Sequence, residues 1–407
     1  MKRVVVTGMG IISPIGNSIE DFYNSLLNGK NGIGFITQFD TTEYTVKIAA
    51  EVKDFDPSQF MDRSTARKTD LFVQYALASA FQAVKDSNIL DNIDPERLGV
   101  YYGSGIGGFT TMIKEHNNLL QRGNKRVSPM FIPKMISNMA AGEIAIAYNA
   151  KGPCISVSTA CATGTTAVGE AYRAIAAGYA DAIIAGGSEA SVNEMAVAGF
   201  TNCMALTEAN DPENASIPFD ARRSGFVIGE GAGALILEEY EHAVARGAKI
   251  YAEVIGYGST CDAHHITAPD PEAAGSSKAF KDAAVNITDD DVIYINAHGT
   301  STPLNDKTET LAIKKAFGDR AYDISISSTK SMTGHMLGAA GAAEAIASVL
   351  ALYNSFIPPT IGYKEKDPEC DLNYTPNTAV KKNITAALSS SLGFGGHNAC
   401  VAFRKVN

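Results

Sequence analysis

The order of strand-like and helix-like segments in this chain repeats once, and that repeat restricts the possible folds more than any other feature. β-Branched runs set against Ala/Leu periodicity predict, in the first half, a strand at Arg3–Gly8 and a helix at about 71–87. A strand at about 99–104, a helix at about 137–148, a strand at about 154–157 and a helix at about 162–177 follow. Strands at about 182–187 and 232–238 close the half. The second half begins near Lys249 and repeats the order: a strand from Tyr251, a helix from Ser276, a strand from Val292, a helix from Asp306, a strand from Ile324. A helix from Leu337 and strands from Ala386 and Ala399 complete it. Two such halves, residues 1–248 and 249–407, imply a duplicated α/β fold with buried sheets and helices between them.

Duplication carries a geometric expectation. Cys161 lies where the first half's third strand gives way to its third helix, and His335 lies at the matching junction of the second half. A pseudo-twofold axis would bring them to one pocket from opposite sides. His298, after the second half's second strand, would stand beside them, and its counterpart is the glycine-rich turn Gly103–Gly108. The ends of parallel strands are where α/β proteins bind ligands.

Composition narrows the function classes. The chain has 407 residues, 45% of them hydrophobic, enough for a large core. No run approaches eighteen apolar residues, and no apolar N-terminal segment ends in a small-residue cleavage site, so neither a membrane span nor a secretory signal is expected. The expected place is the cytoplasm. Six cysteines without CxxC spacing argue against a disulfide framework and a zinc knuckle, and a formal charge of −10 disfavours nucleic acid as a partner.

Three segments can carry chemistry. Ser158-Thr159-Ala160-Cys161-Ala162-Thr163-Gly164 puts a thiol at a strand-to-helix turn, where helix N–H groups favour thiolate. A buried structural cysteine is the other reading of the same residues. Asn296-Ala297-His298-Gly299-Thr300-Ser301-Thr302 ends a strand in a histidine and hydroxyls, and Lys330 leads by five residues into His335. A satisfied core histidine is the alternative for either. One Cys and two His lack a fourth ligand for zinc, so no metal site is expected. In Leu392-Gly393-Phe394-Gly395-Gly396-His397 the glycines let the Phe394 amide point into a site; an ordinary Gly-rich hairpin is the other reading. The turn Gly103–Gly108 matches GxGxxG but lacks the following helix and the acidic residue of a dinucleotide site, and is discounted as one.

Taken together, STACATG around Cys161, NAHGTSTPLND from Asn296, STKSMTGHMLGAAGAAE from Ser328 and SLGFGGHN from Ser391 resemble the β-ketoacyl-acyl-carrier-protein synthases. The match runs from VVVTGMGIISPIG to GFGGHNACVAF, and two histidines point to the elongating branch. The resemblance implies a thiolase-like fold, two pseudo-symmetric halves layered α-β-α-β-α. It implies decarboxylative condensation in fatty acid biosynthesis, with an elongating ketosynthase of a polyketide or aryl-polyene pathway as the alternative.

On that resemblance Cys161 is the acyl-carrying nucleophile, and His298 and His335 drive loss of CO2 from malonyl. Lys330 and Glu344 are a charged pair that orients the site or simply holds loops together. The Cys161 and Phe394 amides form an oxyanion hole, and Thr300 and Thr302 hold pantetheine. Ile106, Phe200 and Phe394 shape the acyl tunnel; apolar residues there could equally be core. No organic cofactor is implied. The partners implied are an acyl carrier protein and a second copy of the chain, the latter near Ser128–Pro133. Arg63, Arg67, Lys68 and Arg122, Lys125, Arg126 are basic clusters for an acidic carrier, or plain solvated faces. Two departures stand out: His397 replaces a common threonine, and Met204 replaces a basic residue found in some relatives.

Overall fold

The computed structural model describes residues 1–406. Ten strands form one sheet. The first half supplies β1 (Val4–Ile12), β2 (Leu98–Gly103), β3 (Cys154–Ile155), β4 (Ala182–Glu189) and β5 (Gly231–Glu239). The second supplies β6 (Ala252–Cys261), β7 (Ile293–Asn296), β8 (Ser325–Ser327), β9 (Ala386–Gly393) and β10 (His397–Arg404). Their order across the sheet is β8-β7-β9-β10-β6-β1-β5-β4-β2-β3, the same sequence of roles read outward from the centre in both directions. Directions match too: β2 is parallel to β3 and β4, as β7 is to β8 and β9, while β5 and β10 run antiparallel to their neighbours.

The halves join through β1 and β6. Val4 pairs with Val254, Val5 with Glu253 and Val6 with Ala252, so residue n of β1 corresponds to n + 248 of β6 and the pseudo-twofold passes through Val5 and Glu253.

Helices complete the layers. On one outer face α1 (Leu71–Ser87) lies over β1 and β5. Asp70 caps its first turn through Phe72 N, and Asn88 ends it in the left-handed region. Along the same half run α2 (Phe109–Arg122), α3 (Met139–Ala147) and α4 (Thr163–Ala176). The second half has α5 (Ala274–Ala283), which covers β6 and β10, then α6 (Pro303–Phe317) and α7 (Ala340–Asn354). α4 and α7 form the middle layer, touching each other and strands of both halves. The layered duplication is therefore as expected.

α7 is buried along its length except for Tyr353 and Asn354. The stretch Leu337–Asn354 has the length and average composition of a membrane span, but Glu344 interrupts its apolar run and 89% of it is buried inside the protein. A helix apolar on all sides is what a central layer requires.

The middle helices meet where neither has a side chain. A Cβ on Gly164 would come within 2.5 Å of Ala342 N, and one on Gly341 within 2.5 Å of Thr165 N. This reciprocal contact brings the two helix N-termini side by side.

The expected elements are present with ends shifted by a few residues, but helices at Ile19–Asn28, Phe109–Arg122 and Glu194–Asn202 were not anticipated. α2 follows the Gly103–Gly108 turn at once, which corrects the statement that no helix follows it. It buries only Glu115, so it lacks the core-facing stripe by which a surface helix is recognised.

Candidate active site

A cavity of about 440 Å³ opens where the N-termini of α4 and α7 meet. Cys161, His298, His335 and Phe394 line it, with Thr300, Thr302 and Phe200. Met204, 89% exposed, stands at its mouth. Duplication thus brings together residues more than a hundred positions apart. The exact partners differ from expectation in one respect: by the reciprocal glycines, Cys161 corresponds to Gly338, and His335 lies three residues ahead of that point.

Cys161 sits in a single 3₁₀ turn, Ala160–Ala162, that starts with Ala160 at φ 50°. The second half repeats this elbow at Leu337–Ala339, with Leu337 at φ 48°. Left-handed backbone in a residue with a side chain costs about 1–2 kcal/mol, and here it occurs at both equivalent bends. Each bend turns a segment abruptly into its middle-layer helix.

Electrostatics revises one expectation. Burial pushes the Cys161 thiol up to about 11, and the pull of Lys330 and of the Phe394 and Cys161 amides does not offset it. The resting residue is a thiol, because the helix end stabilises the anion less than loss of water destabilises it. Those two amides nonetheless face Sγ, the geometry of an oxyanion hole.

Both imidazoles are pressed well below the usual histidine range, by burial first and then by the nearby Lys330 charge; His335 adds to the effect on His298. They are neutral at physiological pH. Their rings meet edge to face, centroids 5.2 Å apart, and Phe226 packs on His335 from the other side at 5.1 Å.

Each histidine is set by its backbone. Glu309 of α6, fully buried, accepts His298 N and Gly299 N, both at 2.8 Å, and the Ser390 hydroxyl at 2.7 Å. His335 N donates to Val227 O at 2.7 Å, and His335 O accepts from Gly229 N at 2.9 Å. Lys330 and Glu344 form a buried ion pair, Glu344 reaching from α7, and burial holds the Glu344 carboxyl up at about 7. The pair both ties α7 to the loop before His335 and places a cation within range of the cysteine and both rings, so the two expectations for it coincide.

Glu309 was missed by the sequence reading. The signal was present: Asp306 and Glu309 lie three apart on the face of α6 that also buries Ala312 and Ile313. Acidic residues on the apolar side of a helix mark carboxylates with fixed donors.

Elsewhere the outcome is mixed. Thr300 and Thr302 share a hydroxyl hydrogen bond of 2.9 Å at the cavity wall. Gly395 and Gly396, at φ 85° and 75°, make the turn after Phe394 possible. Ile106 does not line this cavity and is 39% exposed on its turn. The amides of Gly105 and Ile106 are taken by Glu189, so the turn offers no phosphate cradle. Arg63, Arg67 and Lys68, and Arg122, Lys125 and Arg126, are all exposed. His242, a quarter exposed, is bonded to the buried Glu238 at 2.6 Å. Among the described residues no three His, Cys, Asp or Glu side chains converge as metal ligands.

Residues 1–243 match the family model of the β-ketoacyl synthase N-terminal domain, and residues 251–364 match that of its C-terminal domain. The chain is 50% identical over 410 residues to a 3-oxoacyl-[acyl-carrier-protein] synthase 2 of Synechocystis, spanning 99% of this chain and 98% of that protein. The ishigamide ketosynthase/chain length factor superposes with a TM-score of 0.93 at 36% identity, covering 100% of both chains. A type II polyketide ketosynthase solved with its acyl-carrier protein gives 0.90 at 34% identity, again over 100% of both.

Proposed function

The chain belongs to the β-ketoacyl synthase family, and we propose that it is an elongating 3-oxoacyl-[acyl-carrier-protein] synthase of fatty acid biosynthesis. The observation that carries this reading is the pair of neutral, buried imidazoles beside a cysteine whose Sγ faces two backbone amides. Sequence identity favours fatty acid elongation over a polyketide pathway, 50% to the 3-oxoacyl synthase against 34% to the type II polyketide ketosynthase.

The geometry performs two half-reactions. In the first, Cys161 attacks an acyl-carrier thioester; its proton leaves with the departing carrier thiol, and the Cys161 and Phe394 amides hold the tetrahedral oxyanion. In the second, malonyl-carrier enters between the rings. Breaking the carboxylate bond releases CO2 and leaves an enolate whose oxygen the two imidazoles stabilise. A neutral imidazole does this as a hydrogen-bond donor without giving up its proton, and that interaction strengthens as charge develops. The enolate carbon then attacks the acyl-Cys161 carbonyl and expels the cysteine thiolate, giving a 3-oxoacyl-carrier two carbons longer. Phe394, where a degradative thiolase would place a second catalytic cysteine, supports the synthetic direction.

The carrier is an acyl carrier protein: the related polyketide ketosynthase binds one, and Arg63, Arg67, Lys68, Lys125 and Arg126 offer exposed cations to an acidic partner. The working unit is a homodimer. Leu120, Ile132, Ile146 and Ile155 are 70, 53, 74 and 44% exposed, and β3 ends the sheet with an unpaired edge. A second copy laid along that edge covers these residues and closes a passage beside Ile106. Six unpaired cysteines, one of them the nucleophile, suit a reducing cytoplasm.

Intact-mass measurement tests the whole. An acyl-carrier should add one acyl group to Cys161, and malonyl-carrier should then release it as the longer product. Label on another cysteine, or undiminished labelling of Cys161→Ala, rejects the reading.

A further inference from the structure

The pseudo-twofold leaves the buried Glu189 without an acidic counterpart. Gly164 and Gly341 correspond by their reciprocal contact, so residue n of the first elbow matches n + 177, since 341 − 164 = 177. Cys161 therefore matches Gly338. On the sheet, Ala182 opens β4 opposite Leu98 and Ala386 opens β9 opposite Ile293, so β4 matches β9 at n + 204, since 386 − 182 = 204. Glu189 therefore matches Gly393.

The two positions face equivalent atoms. Glu189 Oε2 accepts from Gly338 N at 3.0 Å and Gly105 N at 2.9 Å, and Oε1 from Ser104 Oγ at 2.9 Å and Ile106 N at 3.2 Å. Ser191 Oγ completes the shell at 3.3 Å. Across the axis, a Cβ on Gly393 would lie 3.4 Å from Cys161 N. One elbow amide is thus filled by a carboxylate, and the other faces a glycine and is left for substrate.

We propose that Glu189 is a positioning residue: its carboxylate permanently occupies the mirror image of the oxyanion hole and locks the turn behind His335 to the Gly105–Ile106 turn. The residue is fully buried and does not line the cavity, so it touches no substrate. It acts through backbone. Gly338 lies three residues past His335, and Gly105 belongs to the turn that faces Cys161's own elbow; a Cβ there would lie 3.5 Å from Ala160 O. The carboxylate fixes the spacing between the decarboxylating histidine and the nucleophile. Removing it strands five donors, three backbone amides and two serine hydroxyls, around a position that is itself fully buried.

The test rests on the ketosynthase reading, and wild-type decarboxylation of malonyl-carrier checks that reading separately. In Glu189→Ala, kcat for decarboxylation should fall roughly tenfold to a hundredfold while KM stays within about twofold, as expected for a displaced catalytic group. Formate should refill the anion site and restore part of kcat in Glu189→Ala, but not in Glu189→Gln, whose amide occupies the space and points N–H at N–H. A folded Glu189→Ala with wild-type kcat, or a loss that formate does not relieve, overturns the proposal. Should Glu189→Ala fail to fold, the near-isosteric Glu189→Gln carries the kcat-against-KM comparison, and an unaltered kcat there overturns it equally.

Discussion

The imidazoles of His298 and His335 meet edge to face at an interplanar angle of 86°, each carried in by a different strand end of the second half. Two rings so placed can donate to one oxygen from different directions, which a stacked pair could not do.

Replacing either ring by alanine should therefore slow malonyl decarboxylation by about a hundredfold to a thousandfold, the usual cost of an oxyanion donor. Acylation of Cys161 depends on amides instead and should suffer less. Rates of CO2 release and of acyl-enzyme formation, measured on the same variant, separate the two. A variant that decarboxylates at the normal rate removes that histidine from the mechanism.

The rings also tie stability to pH. Folding holds both well below the unfolded value, so below about 6.5 the unfolded chain takes up protons that the folded one refuses, and stability falls as pH falls. Buried carboxyls such as Glu344, held up at about 7, act in the opposite sense, gaining stability as pH falls. The histidine part is isolated by comparison with a His298→Asn, His335→Asn double variant. Between pH 7.5 and 5.5 the wild type should lose stability relative to it, by up to about 1.4 kcal/mol per ring per pH unit. Parallel melting curves for the two proteins would contradict the shift.

A thiol at about 11 predicts slow labelling at neutral pH. Alkylation of Cys161 by iodoacetamide should climb steadily into the alkaline range, with no plateau near pH 7. Replacing Lys330 and Glu344 together by methionine removes the cation without leaving a lone buried charge, and should slow labelling further at any given pH. A plateau at neutral pH would mean that thiolate is already present.

The crossing of α4 and α7 tolerates no side chain. Gly164→Ala or Gly341→Ala places a methyl 2.5 Å from a backbone nitrogen, and should cost about 1–3 kcal/mol by overpacking. Condensation should fall with it, because the same contact sets Cys161 against the histidines. Calorimetry and turnover on one preparation would show whether the losses travel together.

Ile106→Phe examines the passage that a second copy is proposed to close. Each buried methylene is worth roughly 0.8 kcal/mol, so excluding four costs about 3 kcal/mol, about a hundredfold in kcat/KM. Short acyl-carriers should be spared and chains beyond about six to eight carbons rejected. A uniform fall at all lengths points to damage at the turn, and an unchanged profile puts the tunnel elsewhere.

What the amino-acid sequence disclosed was whatever local pattern carries. Alternation and helical periodicity exposed the repeat, and glycine-flanked strand ends exposed Cys161, His298 and His335. α2 stayed hidden because its apolar residues Met112, Leu119 and Leu120 remain exposed within one chain, 38, 42 and 70%. Glu189 escaped because it accepts mainly backbone amides, which leaves no mark on the residues that donate them; Glu309 left one only in its place on the apolar face of α6. The thiol was misjudged for a related reason: a helix end is visible in sequence, while the depth of burial is a property of everything packed around it.

The position of β10 has a consequence for biosynthesis. Residues 397–404 do not trim an edge; they fill the gap between β6 and β9, near the middle of the sheet. As the chain leaves the ribosome, α7 has no complete surface to rest on until those residues emerge, and Phe394 supplies its amide only then. Cys161 is made early and the Phe394 amide that faces it late, so a half-made chain holds the cysteine without its complete pocket. Meanwhile an apolar helix waits exposed, and an arrest between residues 354 and 397 should leave a nascent chain that holdase chaperones bind.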